Sequence, residues 1–543
     1  MPTATLKPVE DRPWIVQSYS GESLKLFMAS IVQDSIASCI DKARVAIVCS
    51  ACFDVMPEST SQLLFDAACR VKRQRRSPKA AQYVGHLDYL CATADLYEIE
   101  YSSLARKCVD DPMILEDLLV EIEEDCGWLR NFLSSHTASF PPVLSLKARD
   151  ILVGIGEKLS AKLLRSALLC QGIDSKLIYI EDIEAFTNTH KPESDSWLSI
   201  FSRELHRRLD ACHPSLPILT GFLWSSAVPR SADATQAGTI SVLAPLALNA
   251  RELQIWGTGE ALRTADSRRG SASRVIETLS VSEAIELARH GHPCLDHDML
   301  YYLTENDIVI SLKCIDPPLP ADKVKTTVVR PRQEYAKFDA DLLTEYLVPS
   351  VKTIDRRPTA LVVKDSAVMM TVSVPQLPGN SGAPAYHATR MSMLLMDVMQ
   401  ILHRHRAPFE LMNTSADSLS IVFEKKEGGR KIDFDRLADD LADVGILMVQ
   451  FGMSIITLVG DQLRSSSVGI TGRVVSTLAH AGVKVSMISP AAGSSMSFVV
   501  SAKELDTAVK LIHQTVFRKV VQLKPTAPLV IKKSKRSRPP PSP

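Results

Sequence analysis

Small polar residues and one carboxylate follow apolar runs at two places in this sequence, where they could bind a ligand. The apolar run Trp14–Gln17 ends at the segment Ser18–Ser23, and apolar residues then recur at helical spacing. The run Ile151–Gly156 contains two glycines and leads directly into Glu157. Both places predict a strand, a turn and a helix, and ligands bind at the carboxyl ends of such strands. We therefore expect Glu157 to contact a substrate; the alternative role is an exposed charge that complements a helix N-terminus.

The elements that position these residues are repeated β-turn-α units. Apolar runs at Val45–Cys49, Lys176–Ile180 and Leu216–Gly221 predict further strands, of which the first is apolar throughout, as in a parallel sheet buried on both faces. Residues 75–135 are predicted to be helical, with an acidic run on a solvated helix face. This order of elements is typical of a three-layer α/β domain with a mostly parallel sheet, which we place at residues 12–316.

The second half of the chain follows a different pattern. Closely spaced prolines mark a linker at residues 317–358. Two successive βαββαβ patterns then predict a pair of ferredoxin-like domains, at residues 359–448 and 449–522. The basic and proline-rich end of the chain, residues 523–543, is predicted to be a disordered, solvated tail.

Composition and charge exclude several classes of protein. Lys and Arg together number 62, as do Asp and Glu, so the formal net charge of zero favours neither nucleic acid nor an anionic membrane as a partner. No apolar run reaches the ~20 residues that span a bilayer, and the first residues of the chain lack a signal-peptide pattern. The 11 Cys residues lack paired metal-ligand spacings. A cytoplasmic protein with reduced thiols and no bound metal is expected.

Two smaller groups of residues are candidates for a metal or redox site. Cys49 and Cys52 have C-x-x-C spacing, but the end of a strand explains the pair because further ligands are missing. A polar cluster in a helix-loop segment could form a metal site, although solvation is its expected role; its members are His290, His292, Asp296 and His297.

Seven motifs occur in the order found in the fungal-type aspartokinases, and the chain resembles that family from about residue 12 to residue 520. The motifs begin at Trp14, Val45, Thr60, Gly156, Thr220, Asn249 and Thr264. The segment Val468–Arg473, with the strands that follow it, resembles the final ACT domain of the same enzymes. The resemblance implies an amino-acid-kinase domain followed by two ACT domains.

The resemblance also implies an activity, the transfer of the γ-phosphate of ATP, with magnesium, to the side-chain carboxylate of L-aspartate, which gives 4-phospho-L-aspartate. Such transfer relies on positioning and on cations or N–H groups that face the phosphates. The resemblance assigns substrate contacts to Thr60, Ser61 and Glu157. It assigns nucleotide contacts to Gly21, Ser23, Thr264, Asp266 and Arg268.

The chain departs from the family at charged positions. Ser18 stands where the family has a catalytic lysine, and in the same loop Ser20 and Glu22 replace a glycine and a threonine. Ala234 and Gly238 replace the arginine and aspartate that grip the substrate, and alanine cannot form a bidentate clamp. Three basic residues are candidates to replace the lost cations, although each is more often solvated: Lys25, Arg230 and Arg263.

Paired ACT domains of the family bind an amino-acid effector near helix N-termini. The matching residues are Asn413, Thr414, Ser415, Ile470 and Thr471. Met393, Pro490 and Met496 replace small or polar residues around them, which argues against threonine as the effector. The pairing of ACT domains depends on strand and helix faces, so a homodimer or a mixed dimer is still expected.

Three functions are compatible with the sequence. The first is an aspartate kinase with altered motifs, a duplicated copy that serves a pathway which consumes aspartate-derived homoserine. The second is a non-catalytic relative that regulates or scaffolds a partner such as a true aspartokinase. The third is a pocket rebuilt for another acidic metabolite. Family resemblance favours the kinase, whereas the loss of three charge-assisted contacts at ~1.5–3 kcal/mol each would lower the rate by several powers of ten.

Overall fold

Two β-sheets, one in each half of the chain, organise the computed structural model. It describes residues 12–517 apart from internal segments. The segments left out are 54–79, 138–145, 190–196, 221–235, 259–261, 267–268, 270–272, 292–296, 316–323, 331–357, 375–383, 426–431, 462 and 490–492. The predicted tail, residues 523–543, lies outside the described residues.

The first sheet has eight strands in the order β3-β4-β2-β1-β5-β7-β8-β6. The strands are β1 (Trp14–Tyr19), β2 (Arg44–Cys49), β3 (Ser175–Tyr179), β4 (Leu216–Thr220), β5 (Glu252–Gly257), β6 (Thr278–Ser280), β7 (Val309–Cys314) and β8 (Thr326–Arg330). All neighbouring pairs are parallel except β7 with β8. The prediction of a mostly parallel sheet is confirmed. Because β8 belongs to this sheet, part of the predicted linker 317–358 is a strand of the first domain.

Helices cover both faces of the first sheet and complete a three-layer domain. They are α1 (Gly21–Ser30), α2 (Ala37–Ile40), α3 (Ala80–Cys108), α4 (Pro112–Thr137), α5 (Leu146–Cys170), α6 (Ile180–Thr189), α7 (Trp197–Asp210), α8 (Gln236–Leu248), α9 (Val281–Arg289) and α10 (His297–Glu305). A π-helical turn, Ile31–Ile36, joins α1 to α2. Buried apolar side chains form one cluster on each face. The layer order confirms the predicted fold class.

Part of the predicted acidic face of α4 is a packed interface. The side chain of Glu121 accepts a hydrogen bond from Arg165 (2.6 Å), and that of Asp125 accepts one from Lys162 (2.6 Å). Both cations lie on α5, so these two acids join helices, whereas Glu123 and Glu124 are exposed as predicted.

One helical stretch of the described residues, Gly21–Ile40, has the length and apolar composition of a membrane span. Its apolar side chains pack into the domain core, where Leu24, Ile31 and Ile36 have no exposed surface. The burial of these residues in the domain explains the composition of this stretch.

The second sheet is antiparallel and has six strands in the order β10-β11-β9-β12-β14-β13. The strands are β9 (Ala360–Ser373), β10 (Leu411–Thr414), β11 (Ser418–Glu424), β12 (Ile446–Val459), β13 (Val485–Ser489) and β14 (Ser495–Ser501). Four helices pack on it: α11 (Pro384–His405), α12 (Phe434–Ala442), α13 (Leu463–His480) and α14 (Leu505–Phe517). The two predicted ferredoxin-like modules are present.

The two modules share their central strands. β9 and β12 pair along nearly their whole lengths, from Ile446 opposite Ser373 to Val459 opposite Ala360. The first module uses the end of β9 and the start of β12, and the second uses the start of β9 and the end of β12. A register shift lies near Gly452, whose φ is 68°. The predicted boundary between residues 448 and 449 therefore falls inside β12, because one strand serves both modules.

Candidate active site

The carboxyl ends of β1, β2 and β5 meet at one edge of the first sheet, where α1 begins. The turn between β1 and α1 is one residue long, so the predicted loop Ser18–Ser23 is mostly strand and helix. Ser20 caps α1, because its Oγ accepts from the backbone N–H of Ser23 (3.2 Å). The N–H of Ser20 and the hydroxyl of Ser23 both donate to the carbonyl of Trp256 (3.0 and 3.3 Å). These bonds tie the start of α1 to the end of β5.

Gly21 is required by close packing. A Cβ atom at this position would lie 1.6 Å from the carbonyl oxygen of Ala51, in the segment after β2. No side chain fits there unless the backbone moves. The glycine that the resemblance assigns to the nucleotide therefore also holds α1 against the end of β2.

Ser18 faces α8 and contacts another serine. Its side chain is buried, and the hydroxyl of Ser241 donates to Ser18 Oγ at 2.8 Å. This pair is neutral, whereas the resemblance implies a lysine at position 18. The edge of the sheet thus lacks that positive charge at the strand where the resemblance expects it.

The predicted substitute cations have other contacts. Lys25 Nζ lies 4.2 Å from the centre of the Phe53 ring. Arg263 donates to the side chain and the carbonyl of Ser273 (2.8 and 2.7 Å). Arg230 lies outside the described residues. Glu22 brings a negative charge to the first turn of α1, where it accepts from the hydroxyl of Thr258 (2.6 Å).

Glu157 lies in the middle of a helix, and the predicted strand at Ile151–Gly156 is wrong. That segment belongs to α5, which runs from Leu146 to Cys170. A short apolar run does not by itself distinguish a buried strand from a buried helix, and here the helix forms. The side chain of Glu157 is 2% exposed, so the alternative of an exposed N-terminal charge is also wrong.

Contacts with the segment after β2 fix the position of Glu157. A Cβ atom on Gly156 would lie 2.9 Å from the Cβ of Ala51, so α5 packs closely there. Tyr101 donates to the carbonyl of Gly156 (2.7 Å), and the N–H of Cys52 donates to Ser160 Oγ (2.8 Å). These contacts place a buried carboxylate beside the carboxyl end of β2.

The C-x-x-C pair also lies beside Glu157. Burial raises the pKa of the Cys52 thiol to about 12, and burial with the nearby Cys52 and Glu157 raises the pKa of Cys49. Both groups are therefore protonated thiols at neutral pH, as a structural role requires.

A cation that was not predicted from the sequence, Lys313, lies at the same edge. Lys313, near the end of β7, lies with its Nζ 5.0 Å from the centre of the Trp256 ring, and this ring stacks on Tyr19 (5.9 Å). Trp256 Nε1 is buried without a hydrogen-bond partner among the described residues. Lys313 could have been predicted as a site residue, because it lies near the carboxyl end of the apolar strand Val309–Cys314.

A buried polar chain aligns the two strands that bear this edge. Gln17 donates to Gln254 Oε1 (3.0 Å), and Tyr19 donates to Gln17 Oε1 (3.1 Å). These bonds cross from β1 to β5 and help to set the register that brings Ser18 opposite Ile255.

Other predicted site residues lie apart from this edge or outside the described residues. Thr264 bonds to His513 of the second module, and Asp266 borders a cavity of about 330 Å³ between the two halves of the chain. Gly238 lies within α8. Outside the described residues lie Thr60, Ser61, Ala234, Arg268, His292 and Asp296.

The predicted effector residues divide between the two modules. Asn413 and Thr414 are exposed at the end of β10, and Ser415 follows them in a tight turn. Ile470 is 1% exposed in α13, so its side chain belongs to the core. Thr471 donates to the Sδ of Met496 (3.2 Å).

Comparisons with known proteins agree with the order of the two halves. The profile of the amino acid kinase family matches residues 18–313, and that of an ACT domain matches residues 456–516. The aspartokinase of Schizosaccharomyces pombe is 26% identical over 521 residues, with 94% of each chain covered. An aspartate kinase of Gibberella moniliformis is 24% identical, with 94% of this chain and 98% of the relative covered.

Solved structures show the same fold. Escherichia coli aspartokinase III, in complex with aspartate and ADP, matches 93% of this chain and all of its own with a TM-score of 0.61 at 20% identity. The aspartate kinase of Clostridium acetobutylicum matches with a TM-score of 0.61 at 15% identity, over 93% of this chain and 99% of its own. Because the kinase profile matches more than half of its length, the chain belongs to the amino acid kinase family, and it is similar to aspartokinases along nearly all of its length.

Proposed function

We propose that this protein transfers the γ-phosphate of ATP to the side-chain carboxylate of L-aspartate and forms 4-phospho-L-aspartate. The observation that carries the proposal is Glu157, a buried carboxylate beside the end of β2 in a fold shared with an aspartokinase that binds aspartate and ADP. By resemblance, Glu157 holds the amino group of L-aspartate and orients the substrate, and Gly21 and Ser23 bring the start of α1 to the phosphates.

Magnesium would enter this site with the nucleotide. The described residues hold no group of three or more His, Cys, Asp or Glu side chains that could bind a metal ion. Mg²⁺ is commonly held by substrate phosphates, water and only one or two carboxylates, so the nucleotide would supply most of the ligands of the ion. The metal would neutralise phosphate charge, while the protein positions the two substrates.

The charges near the carboxyl ends of β1, β2 and β5 predict slow turnover. Ser18 and Ser241 supply a neutral contact where the family has a cation, and Glu22 adds a negative charge at the start of α1. A like charge ~4 Å from a phosphate costs about 4 kcal/mol at an effective dielectric constant of ~20. We expect weak binding of ATP and a low kcat.

The neutral Ser18–Ser241 pair favours a second candidate function, that of a non-catalytic partner which regulates a true aspartokinase in a mixed dimer. A suitable surface lies on the start of β12, where Ile446, Met448 and Phe451 are exposed. β14 pairs only with residues 453–459 of β12, so the same edge of residues 446–450 has no strand partner among the described residues. An open apolar edge of this kind pairs readily with a second chain.

We propose that an amino acid regulates this protein. An amino-acid effector would bind near the exposed Asn413 and Thr414, with Ser415, Thr471 and the backbone of Ile470 as further contacts. A cytoplasmic location accords with the free thiols of eight Cys residues in the described part of the chain. A pathway that consumes homoserine would use the product of the kinase reaction.

A hydroxamate assay for aspartyl phosphate tests the two candidates with the purified full-length protein. If the protein is an aspartate kinase, the wild type should form aspartyl phosphate and the Glu157→Gln variant should not. Glu204→Gln is the matched control, since this buried carboxylate pairs with Arg207 and Arg208 on α7. If the wild type shows no turnover and millimolar ATP does not shift its melting temperature, the kinase function is contradicted. The regulatory function would then be supported if this protein, on mixing, changes the activity of an aspartokinase from the same cell.

A further inference from the structure

We propose that Lys313, beside the indole of Trp256 and the start of α1, forms an anion site at the carboxyl ends of β5 and β7, and that this site binds the phosphates of the nucleotide. The anion site is argued from contacts among the described residues. Its assignment to a nucleotide rests on the proposed function.

Two aromatic side chains and one basic side chain form a row across the carboxyl ends of β1, β5 and β7. Tyr19 pairs in register with Trp256, and Trp256 pairs in register with Lys313. Side chains in register on neighbouring strands point to the same face of the sheet. Tyr19 stacks on Trp256, and Lys313 Nζ lies 5.0 Å from the centre of the Trp256 ring. The row therefore ends in an ammonium group beside an aromatic ring.

The backbone of Trp256 joins this row to the start of α1. Its carbonyl accepts from the N–H of Ser20 (3.0 Å) and from the hydroxyl of Ser23 (3.3 Å). The first N–H groups of a helix have no partner within the helix and carry partial positive charge. Because Lys313 contacts the residue that holds this helix end, the ammonium group and the helix N-terminus can attract the same anion.

The charge of Lys313 is positioned but not neutralised. The side chain is half-buried, and it has no carboxylate partner among the described residues. By contrast, Lys162 and Lys364 each pair with two carboxylates. Contact with an aromatic ring uses the charge of the ammonium group and leaves its N–H donors available. Lys313 can therefore donate to a ligand without first breaking an ion pair.

A second lysine adds positive charge at the same place. Because β8 runs antiparallel to β7, the start of β8 lies beside the end of β7, and the N–H of Cys314 donates to the carbonyl of Lys325 (3.3 Å). The side chain of Lys325 is exposed and has no ionic partner in the described part of the chain. The two lysines offset the negative charge that Glu22 brings to the start of α1.

The indole N–H of Trp256 is an independent sign of a missing acceptor. Trp256 is 1% exposed, and its Nε1 has no hydrogen-bond partner among the described residues. A buried donor without an acceptor is costly, and native proteins seldom leave one. An oxygen of an anion held by Lys313, or a water bound to that anion, would supply the acceptor. An anion with several oxygen atoms suits both donors.

The phosphates of a nucleotide are the anion that this place suits best. In the proposed reaction ATP brings several negative charges to these strand ends, and Ser18 offers none of the compensating charge. Ser18 pairs with Ile255, the residue before Trp256, so Lys313 lies two strands, or about 10 Å, from the backbone of β1. Lys313 therefore replaces part of the missing charge from the other side of β5.

Calorimetric titration of the full-length protein with Mg-ATP tests the site. We expect Lys313→Met to raise the Kd by about tenfold or more, and Lys313→Arg, which keeps the charge, to stay within about threefold of the wild type. Lys325→Met, at an exposed position, should raise the Kd about twofold to threefold. Lys176→Met is the matched control, because this exposed lysine lies on β3 of the same sheet, near the opposite end of the strand. Equal Kd values for the wild type, Lys313→Met and Lys325→Met would overturn the site.

Two simpler probes separate phosphate from base and separate this proposal from the kinase function. Lys313→Met should weaken the binding of inorganic tripolyphosphate and leave that of adenosine unchanged. If only adenosine binding weakens, the phosphate assignment is wrong. If tripolyphosphate binds through Lys313 and ATP does not bind, the anion site stands and the proposed kinase function fails. If the wild type binds neither anion, the site is overturned.

Tryptophan fluorescence gives a readout that does not depend on the fold of the lysine variants. Tripolyphosphate should change the emission of the wild type, because it draws Lys313 away from the Trp256 ring. Trp256→Phe, which keeps an aromatic ring beside Tyr19, should lose this change and still melt cooperatively. An equal change in emission in both proteins would place the anion elsewhere.

Discussion

The hydroxyl groups of Ser18 and Ser241 lie 2.8 Å apart at the end of β1. The pair joins the sheet to α8 and puts two small neutral side chains where the resemblance implies a lysine. The two hydroxyls contribute no charge to phosphoryl transfer. The pair therefore identifies position 18 as the place to test the chemistry of the site.

Introducing lysine at this position should strengthen ATP binding. We expect Ser18→Lys to lower the Kd for Mg-ATP by about tenfold to a hundredfold, because one charge-assisted contact contributes about 1.5–3 kcal/mol. Ser18→Met is the control, since it adds comparable volume without charge. Titration of both proteins checks this, and equal Kd values would show that the cation does not reach the nucleotide.

Adding a methyl group at Gly21 should unfold or strongly destabilise the first domain. The new Cβ would overlap the carbonyl oxygen of Ala51, which belongs to the backbone and cannot rotate away. Gly469→Ala is the control, because nothing lies within 4 Å of a Cβ at that helical position. Thermal melts should show a large loss of stability for Gly21→Ala and a gain of about 0.5–1 kcal/mol for Gly469→Ala. Similar melting temperatures would contradict the close contact.

The second ACT module should not fold without the start of β9. Its sheet includes residues 360–364, which pair with Ile455–Val459 of β12, and Leu361 lies in its core. We expect a fragment of residues 358–517 to melt cooperatively in circular dichroism and a fragment of residues 449–517 to lack a cooperative transition. Equal melting of the two fragments would show that the shared strand is dispensable.

A charge on the open edge of β12 should weaken self-association. Met448 is half exposed beside unpaired strand backbone, so Met448→Lys would bury a charge if a second chain added a strand there. Light scattering during size-exclusion chromatography should show a shift from dimer to monomer at micromolar concentration. Met399→Lys, on a helix of the same module, is the control and should not alter the mass.

The contact of Glu286 with the second module should weaken in acid. His290 and Ser495 hold the pKa of this carboxyl at about 2, well below the ordinary value of about 4.3. Because the folded-state pKa is lowered, the stabilisation is present above about pH 4.3 and is lost as the pH falls toward 2. Melting temperatures of the wild type and Glu286→Gln should differ by a few °C near pH 6, and the difference should shrink below about pH 4.3 and disappear below about pH 2. A constant difference over this range would contradict the assignment; Glu305→Gln is an exposed control.

Several parts of the fold could be predicted from local patterns. The strand at Val45–Cys49 could be predicted because a parallel strand that is buried on both faces is continuously apolar. The pair of ferredoxin-like modules could be predicted because the βαββαβ order occurs twice in succession along the chain. The predicted strand at Ile151–Gly156 failed because its glycines permit close packing inside a helix, which a local pattern does not show.

The sequence by itself determined the class of the fold, the order of the two halves and the missing charges at positions 18 and 234, because residue type and spacing are local properties. Tertiary structure alone decided that Glu157 is buried beside β2 and that β9 and β12 serve both modules. It alone decided that Thr264 faces His513. These relationships join residues far apart in the chain, and they depend on which faces pack together, a choice made by the burial of the whole core.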